Sequence, residues 1–147
     1  MSTARVVVLS ALISGLAAAA VPGDLGAGFK VVVNAANPTS ALSRDAIARL
    51  FLKKSNSWPG GKPAIPIDQP TSAEPRQAFT KGVLQQDTND VVAYWNRVIF
   101  SGRGRPPLTK ASDAEVIAYV RANPDAVGYV RADAAVGDGV KVLKIED

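Results

Sequence analysis

From residue 29 onward, apolar and polar positions alternate in a way that predicts short strands separated by amphipathic helices. FKVVV, residues 29–33, is a continuous apolar run and predicts a buried first strand. The polar stretch NAANPTS, residues 34–40, predicts a loop. Ser43 is placed to cap a helix reaching about Lys53, with Ile47, Leu50 and Phe51 on one face. SNSWPGGK, residues 55–62, is turn-rich, and Trp58 is expected to pack over the end of that helix. Ile65 and Ile67 alternate with polar or small neighbours and predict a strand over 64–68. A helix over 73–85 follows, with Phe79 and Val83 four residues apart. Asp87 or Thr88 caps a third helix, to about Ile99, with Val92, Trp95 and Ile99 expected inward. FSGRGRPPL, residues 100–108, carries two Gly and two Pro and cannot be helical. Ser112 and Glu115 form a capping-box pattern for a fourth helix that ends before Pro124. Strands are expected over 126–130 and 140–145, and Phe51, Phe79, Trp95 and Phe100 as aromatic core. Strands separated by helices define an α/β fold: a three-layer sandwich with a mixed sheet flanked by helices.

Composition narrows the chemistry. A chain of 147 residues that is 47% hydrophobic suits one domain with a real core. It has neither Cys nor His, so disulfides, thiol chemistry, the usual general base and the commonest zinc ligand are all missing. No Ser/His/Asp or Cys/His set and no P-loop is present, which argues against an enzyme and implies no cofactor. The net charge of +4 is mild and spread along the chain, below a nucleic-acid footprint. The amino terminus adds a targeting signal. Arg5 precedes an apolar run, residues 6–20, that ends with Ala18 and Ala20 at the two positions a signal peptidase reads. The run is shorter than the roughly 20 residues a spanning helix needs, which favours a cleaved signal over a membrane anchor. The expected division is a signal peptide over 1–20, a Gly-rich lead-in over 21–28, and a domain over 29–147. The mature protein is then periplasmic or secreted, with no stable membrane insertion.

Candidate chemistry concentrates in IPIDQPTSAEPRQAFTKG, residues 65–82. A strand, a polar loop and a helix start bring free backbone N–H groups to one point, where the helix dipole is positive. Such a point binds anions readily. Thr71 and Ser72 offer hydroxyls, Pro75 fits a first turn, and Arg76 adds a planar guanidinium suited to oxyanions. In the purely structural alternative, Ser72 is only an N-cap and Arg76 only a solvated surface residue.

Four collinear words then carry a resemblance. They are LFLKKSNSWPGGKPAIPID (50–68), AFTKGVL (78–84), YWNRVIFSGRGRPP (94–107) and NPDAVGYV (123–130). Together they resemble the phosphate-binding proteins of ABC importers, in the type II periplasmic binding protein family. The resemblance implies one lobe of that fold, the lobe inserted between the halves of the other, because the chain is too short for two. It implies inorganic phosphate or a similar oxyanion as ligand, with Thr71, Ser72 and Arg76 as ligand-binding residues. An ABC transporter permease or another periplasmic protein is the implied partner. The family's loop carries Arg, Asp, Gly, Ser, Gly and Thr, whereas this chain has Asp68, Gln69, Pro70, Thr71, Ser72, Ala73 and Glu74. Ser72 matches the loop serine. The loop arginine has no match, and the glycines that admit close backbone approach are gone. The function expected is therefore an exported oxyanion-binding domain linked to phosphate uptake. The alternative is a periplasmic protein-interaction module with a decayed ligand site.

Overall fold

The structure is a computed structural model and describes residues 27–147. The proposed signal peptide, and all but the last residues of the lead-in, lie outside the described residues. Six strands and four helices follow one another as β1 (Phe29–Asn34), β2 (Ala41–Ser43), α1 (Arg44–Phe51), β3 (Ile65–Asp68), α2 (Glu74–Phe79), α3 (Thr88–Phe100), β4 (Leu108–Thr109), α4 (Asp113–Ala122), β5 (Ala126–Arg131) and β6 (Val140–Glu146). They build one mixed sheet in the order β2-β6-β1-β5-β3-β4. β1 is antiparallel to both β5 and β6, while β2 runs parallel to β6 and β3 parallel to β5 and β4.

The two-residue period of the central strands assigns side chains to opposite faces. Phe29, Val31, Val33, Val127, Tyr129 and Leu143 face α1 and α2 and join Ile47, Leu50, Phe51, Phe79 and Trp58 in one core. Val32, Ile67, Ala126, Val130 and Val140 face the other way, onto Val116, Ile117 and Val120 of α4. Helices thus cover both faces, giving the three-layer α/β sandwich that the alternation of elements predicts. Gly128 lets α4 come this close, because a Cβ there would lie 2.6 Å from a Val116 methyl. Ser43 caps α1 by accepting from the Ala46 N–H, and Ser112 caps α4 by accepting from the Glu115 N–H. The Trp58 indole donates to the Asp125 carbonyl at 2.9 Å while its ring joins the α1 core.

Four expectations are corrected. Strands β2 and β4 form inside stretches that read as loop or helix start, because residues this short gain their pairing from β6 and β3 rather than from local pattern. The helix expected over 73–85 is α-helical only to Phe79 and continues as one π turn, Thr80–Leu84. There the Thr80 hydroxyl donates to the Arg76 carbonyl at 2.7 Å, and Gly82 lies so close under Phe29 that a Cβ would sit 2.7 Å from the ring. Such local adjustments accompany π turns. On α3, Val91 and Trp95 are the buried pair, while Val92 and Ile99 are exposed. The helix meets the rest of the molecule along a narrow stripe, and from position 91 residue 92 lies about 100° away and residue 99 about 80°. Phe100, expected in the core, is 92% exposed at the end of α3.

Candidate functional site

β3 ends at Asp68, and the chain turns through residues 69–73 into α2. The parallel register of β3 and β5 pairs Pro66 with Val127, so two residues on, Asp68 and Tyr129 stand beside each other on the α2 face. Arg76, on the first turns of α2, is brought down onto the same point. Its Nη1 donates to Asp68 Oδ1 at 2.9 Å and to the Gln69 carbonyl at 2.8 Å. The Tyr129 hydroxyl also donates to Asp68 Oδ1, and the Gln69 N–H contributes at 3.1 Å. The Gln69 side-chain amide donates to Asp113 Oδ1 and to the Tyr129 carbonyl, each at 2.9 Å. Asp68, Gln69, Arg76 and Tyr129 are all buried, so this is an ion pair sealed inside a hydrogen-bonded network. The Tyr129 ring stacks on Phe79 at 4.1 Å, which ties the network to the aromatic core.

Burial pushes the Asp68 carboxyl above the usual aspartate range, against the opposing pull of the Arg76 guanidinium and of the Tyr129 and Gln69 donors. Burial, and then the neighbouring Asp68 charge, push the Tyr129 phenol up as well. The pair presents no net charge outward. Just beyond it, Glu74 adds a carboxylate in the first turn of α2, which Arg131 meets at 3.4 Å across exposed surface.

The three residues singled out in the sequence are divided by this geometry. Thr71 and Ser72 are exposed in the turn before α2. Ser72 does not cap the helix: Ala73 occupies the N-cap and no side chain bonds the first turn. Pro75 sits at the start of the helix as expected. Arg76 lies beneath the loop rather than on its surface, with its side chain 8% exposed. Sequence reasoning missed Tyr129, Gln69 and Asp113 as partners of this network. The period-2 parity of Asp68 and Tyr129 was the available signal, but the strand pairing that joins them is not local. Among the described residues, no group of His, Cys, Asp or Glu could hold a metal ion. Among them, too, no helix is long and apolar enough to cross a membrane.

The fold matches solved structures of substrate-binding proteins of phosphate ABC transporters. One of them is a protein assigned as a phosphate ABC transporter substrate-binding protein from Clostridium perfringens, solved with phosphate bound. The match has a TM-score of 0.63 and 16% identity, and covers 80% of this chain and 44% of that one. An ABC-type phosphate transport receptor from Vibrio cholerae matches with a TM-score of 0.63 and 19% identity, over 82% of this chain and 47% of that one. PstS from Borrelia burgdorferi matches with a TM-score of 0.60 and 13% identity, again over 82% and 47%. The chain thus spans less than half the length of these neighbours, as a single-lobe relative does. No protein-family model matches the chain, and no curated protein matches it.

Proposed function

We propose that this chain is an exported solute-binding-protein-like domain that works as a protein-interaction module, its ligand site closed from within. The observation that carries this reading is the Asp68–Arg76 pair. The one guanidinium of the loop is buried and already bonded to a carboxylate and a carbonyl. An incoming anion would have to compete with Asp68 for Arg76 while facing the Glu74 carboxylate. Buried charge pairs are costly to break, because the charge left behind is uncompensated. Thr71 and Ala73, on either side of Ser72, also stand where the resembled loop has the glycines that would let a backbone approach an anion.

A second reading is favoured by a specific feature: the fold itself, with exposed Thr71 and Ser72 beside an uncapped helix start. In it the domain binds phosphate or a similar oxyanion at Thr71 and Ser72, backed by Arg76, as part of ABC phosphate uptake. One experiment separates the two. Calorimetric titration of the mature domain with inorganic phosphate and with sulfate, at low and moderate salt, is expected to show no binding at millimolar anion. Heat that disappears in Thr71→Ala/Ser72→Ala, two exposed positions that leave the core intact, would establish the oxyanion reading instead. Salt should weaken such exposed binding.

A further inference from the structure

The outward side of α3 is apolar and, among the described residues, open. Val91 and Trp95 bury the inward side, and the Tyr94 hydroxyl there donates to the Leu52 carbonyl at 2.8 Å. On the other side Val92 is 39% exposed, Ile99 51% and Phe100 92%. Asn89, Ala93 and Asn96 are exposed with them. At 100° per residue, Val92, Ala93, Ile99 and Phe100 all lie within about 60° of Asn96, so they form one continuous stripe. An exposed apolar stripe rimmed by polar residues marks an interaction surface.

The stripe is symmetric about its own midpoint. Val92 and Phe100 stand four residues to either side of Asn96, and Ala93 and Ile99 three. Laid antiparallel on a copy of itself about Asn96, the helix sets Val92 against Phe100 and small Ala93 against large Ile99. Asn96 then meets its own copy, and each amide can both donate and accept. One asparagine in an otherwise apolar helix seam is a device that fixes register.

Charge follows the same symmetry. Asp87 and Asp90 precede Asn96, whereas Arg97 follows it and Arg103 lies past the helix end. Lys81 shares a shallow depression with Asp87 and Asp90 and offsets only part of their charge. Asp90 and Arg97 are seven residues apart on one flank, about 10.5 Å along the axis, too far to bond each other. Among the described residues neither joins an ion pair. Antiparallel pairing brings the acidic half of each helix beside the basic half of the other and opposes their dipoles. Parallel pairing would gather like charges.

We propose that the outward face of α3 is a self-association surface, on which two copies of this chain pair antiparallel about Asn96. The inference goes beyond the reading above and uses a surface other than the Thr71–Ser72 loop. Phosphate titration and the measurement of association therefore succeed or fail separately. One 13-residue helix from each copy makes a contact at the small end of specific interfaces, so the dimer is weak. In dilute solution the chain is monomeric and Phe100 stays exposed.

The test is sedimentation equilibrium of residues 21–147, which hold both hydrophobic cores. From about 10 µM to about 500 µM, monomer should pass to dimer and no further, because a two-fold contact closes on itself. Phe100→Glu should raise the dissociation constant at least tenfold; the position is exposed, and circular dichroism verifies the fold. Asp90→Arg should weaken association, and adding Arg97→Asp should restore it, since the swap rebuilds halves of opposite sign. The chain has no Cys, so Asn96→Cys introduces a single thiol. A short bis-maleimide should link two Asn96→Cys copies but not two Asn89→Cys copies, whose positions would lie about 21 Å apart. Linking at both positions means a parallel pair and overturns the proposal. A monomer throughout the range overturns it, as does a dimer indifferent to Phe100→Glu. Binding of the monomer to phosphatidylserine vesicles, lost in Phe100→Glu and without self-association, overturns it in favour of a lipid surface.

Discussion

At the scale of single residues, Asp68 and Arg76 decide how the candidate site is read. The same residue type that signals an anion site on a surface acts as an internal counterion once it is buried. Replacing Arg76 with Met should destabilise the domain by about 3–5 kcal/mol, because Asp68 loses its partner inside the core. The pH dependence gives the claim its signature. Asp68 is raised above the ordinary value of 3.8 by burial, so the folded state holds its proton more tightly than the unfolded chain. The stability this contributes is present below the unfolded value and is lost as pH rises through the folded one. Arg76 opposes that rise, so its removal lifts Asp68 further and extends the loss to higher pH. The stability deficit of Arg76→Met relative to the parent should therefore widen between pH ~4 and pH ~7. Urea unfolding across that range checks it, and a deficit that stays constant would show that Arg76 stabilises by packing alone.

At the scale of elements, α3 shows how a pattern can specify a helix and leave its orientation open. Val91, Val92, Trp95 and Ile99 all suit one broad apolar stripe. Only Val91 and Trp95 are buried, because the helix touches its neighbours by one edge. Trp95→Ala should cost roughly 3–5 kcal/mol through the cavity it leaves. Phe100→Ala, five residues on, should change stability by less than about 0.5 kcal/mol, as expected of an exposed side chain. Thermal melts of the two variants decide this. Equal losses would mean that Phe100 packs against something in solution. The π turn after α2 teaches the same lesson. The sequence from 73 to 85 has helical spacing, yet the close approach of Gly82 to Phe29 reshapes its second half.

At the scale of the whole molecule, one sheet with helices on both faces is covered without help from a second lobe. Strands β1 and β5 lie centrally and contribute to both cores, so each face supports the other. Export belongs to this scale too. Arg5, the apolar run and Ala18/Ala20 predict a mature chain beginning near Val21 in the periplasmic or secreted fraction. Intact-mass spectrometry of that fraction tests it, and full-length chain held in the membrane would refute it.

Much of the architecture was legible in local pattern. Apolar runs marked β1, β5 and β6, and Ser43 and Ser112 marked helix starts that the structure caps with those same hydroxyls. Alternating strands and helices named the layered α/β class, because period 2 and period 3.6 are properties of adjacent residues. Three things were decided only by tertiary structure. The short strands β2 and β4 exist by pairing with distant neighbours. The burial of Val91 instead of Val92 depends on which edge of α3 meets the rest of the molecule. The fate of Arg76 depends on Asp68 and Tyr129, which lie 61 residues apart in the chain and meet only because β3 runs beside β5. Charge and residue type are local and can be read from the chain. Whether a charge faces solvent or a counterion is set by long-range packing, and a single sequence does not display it.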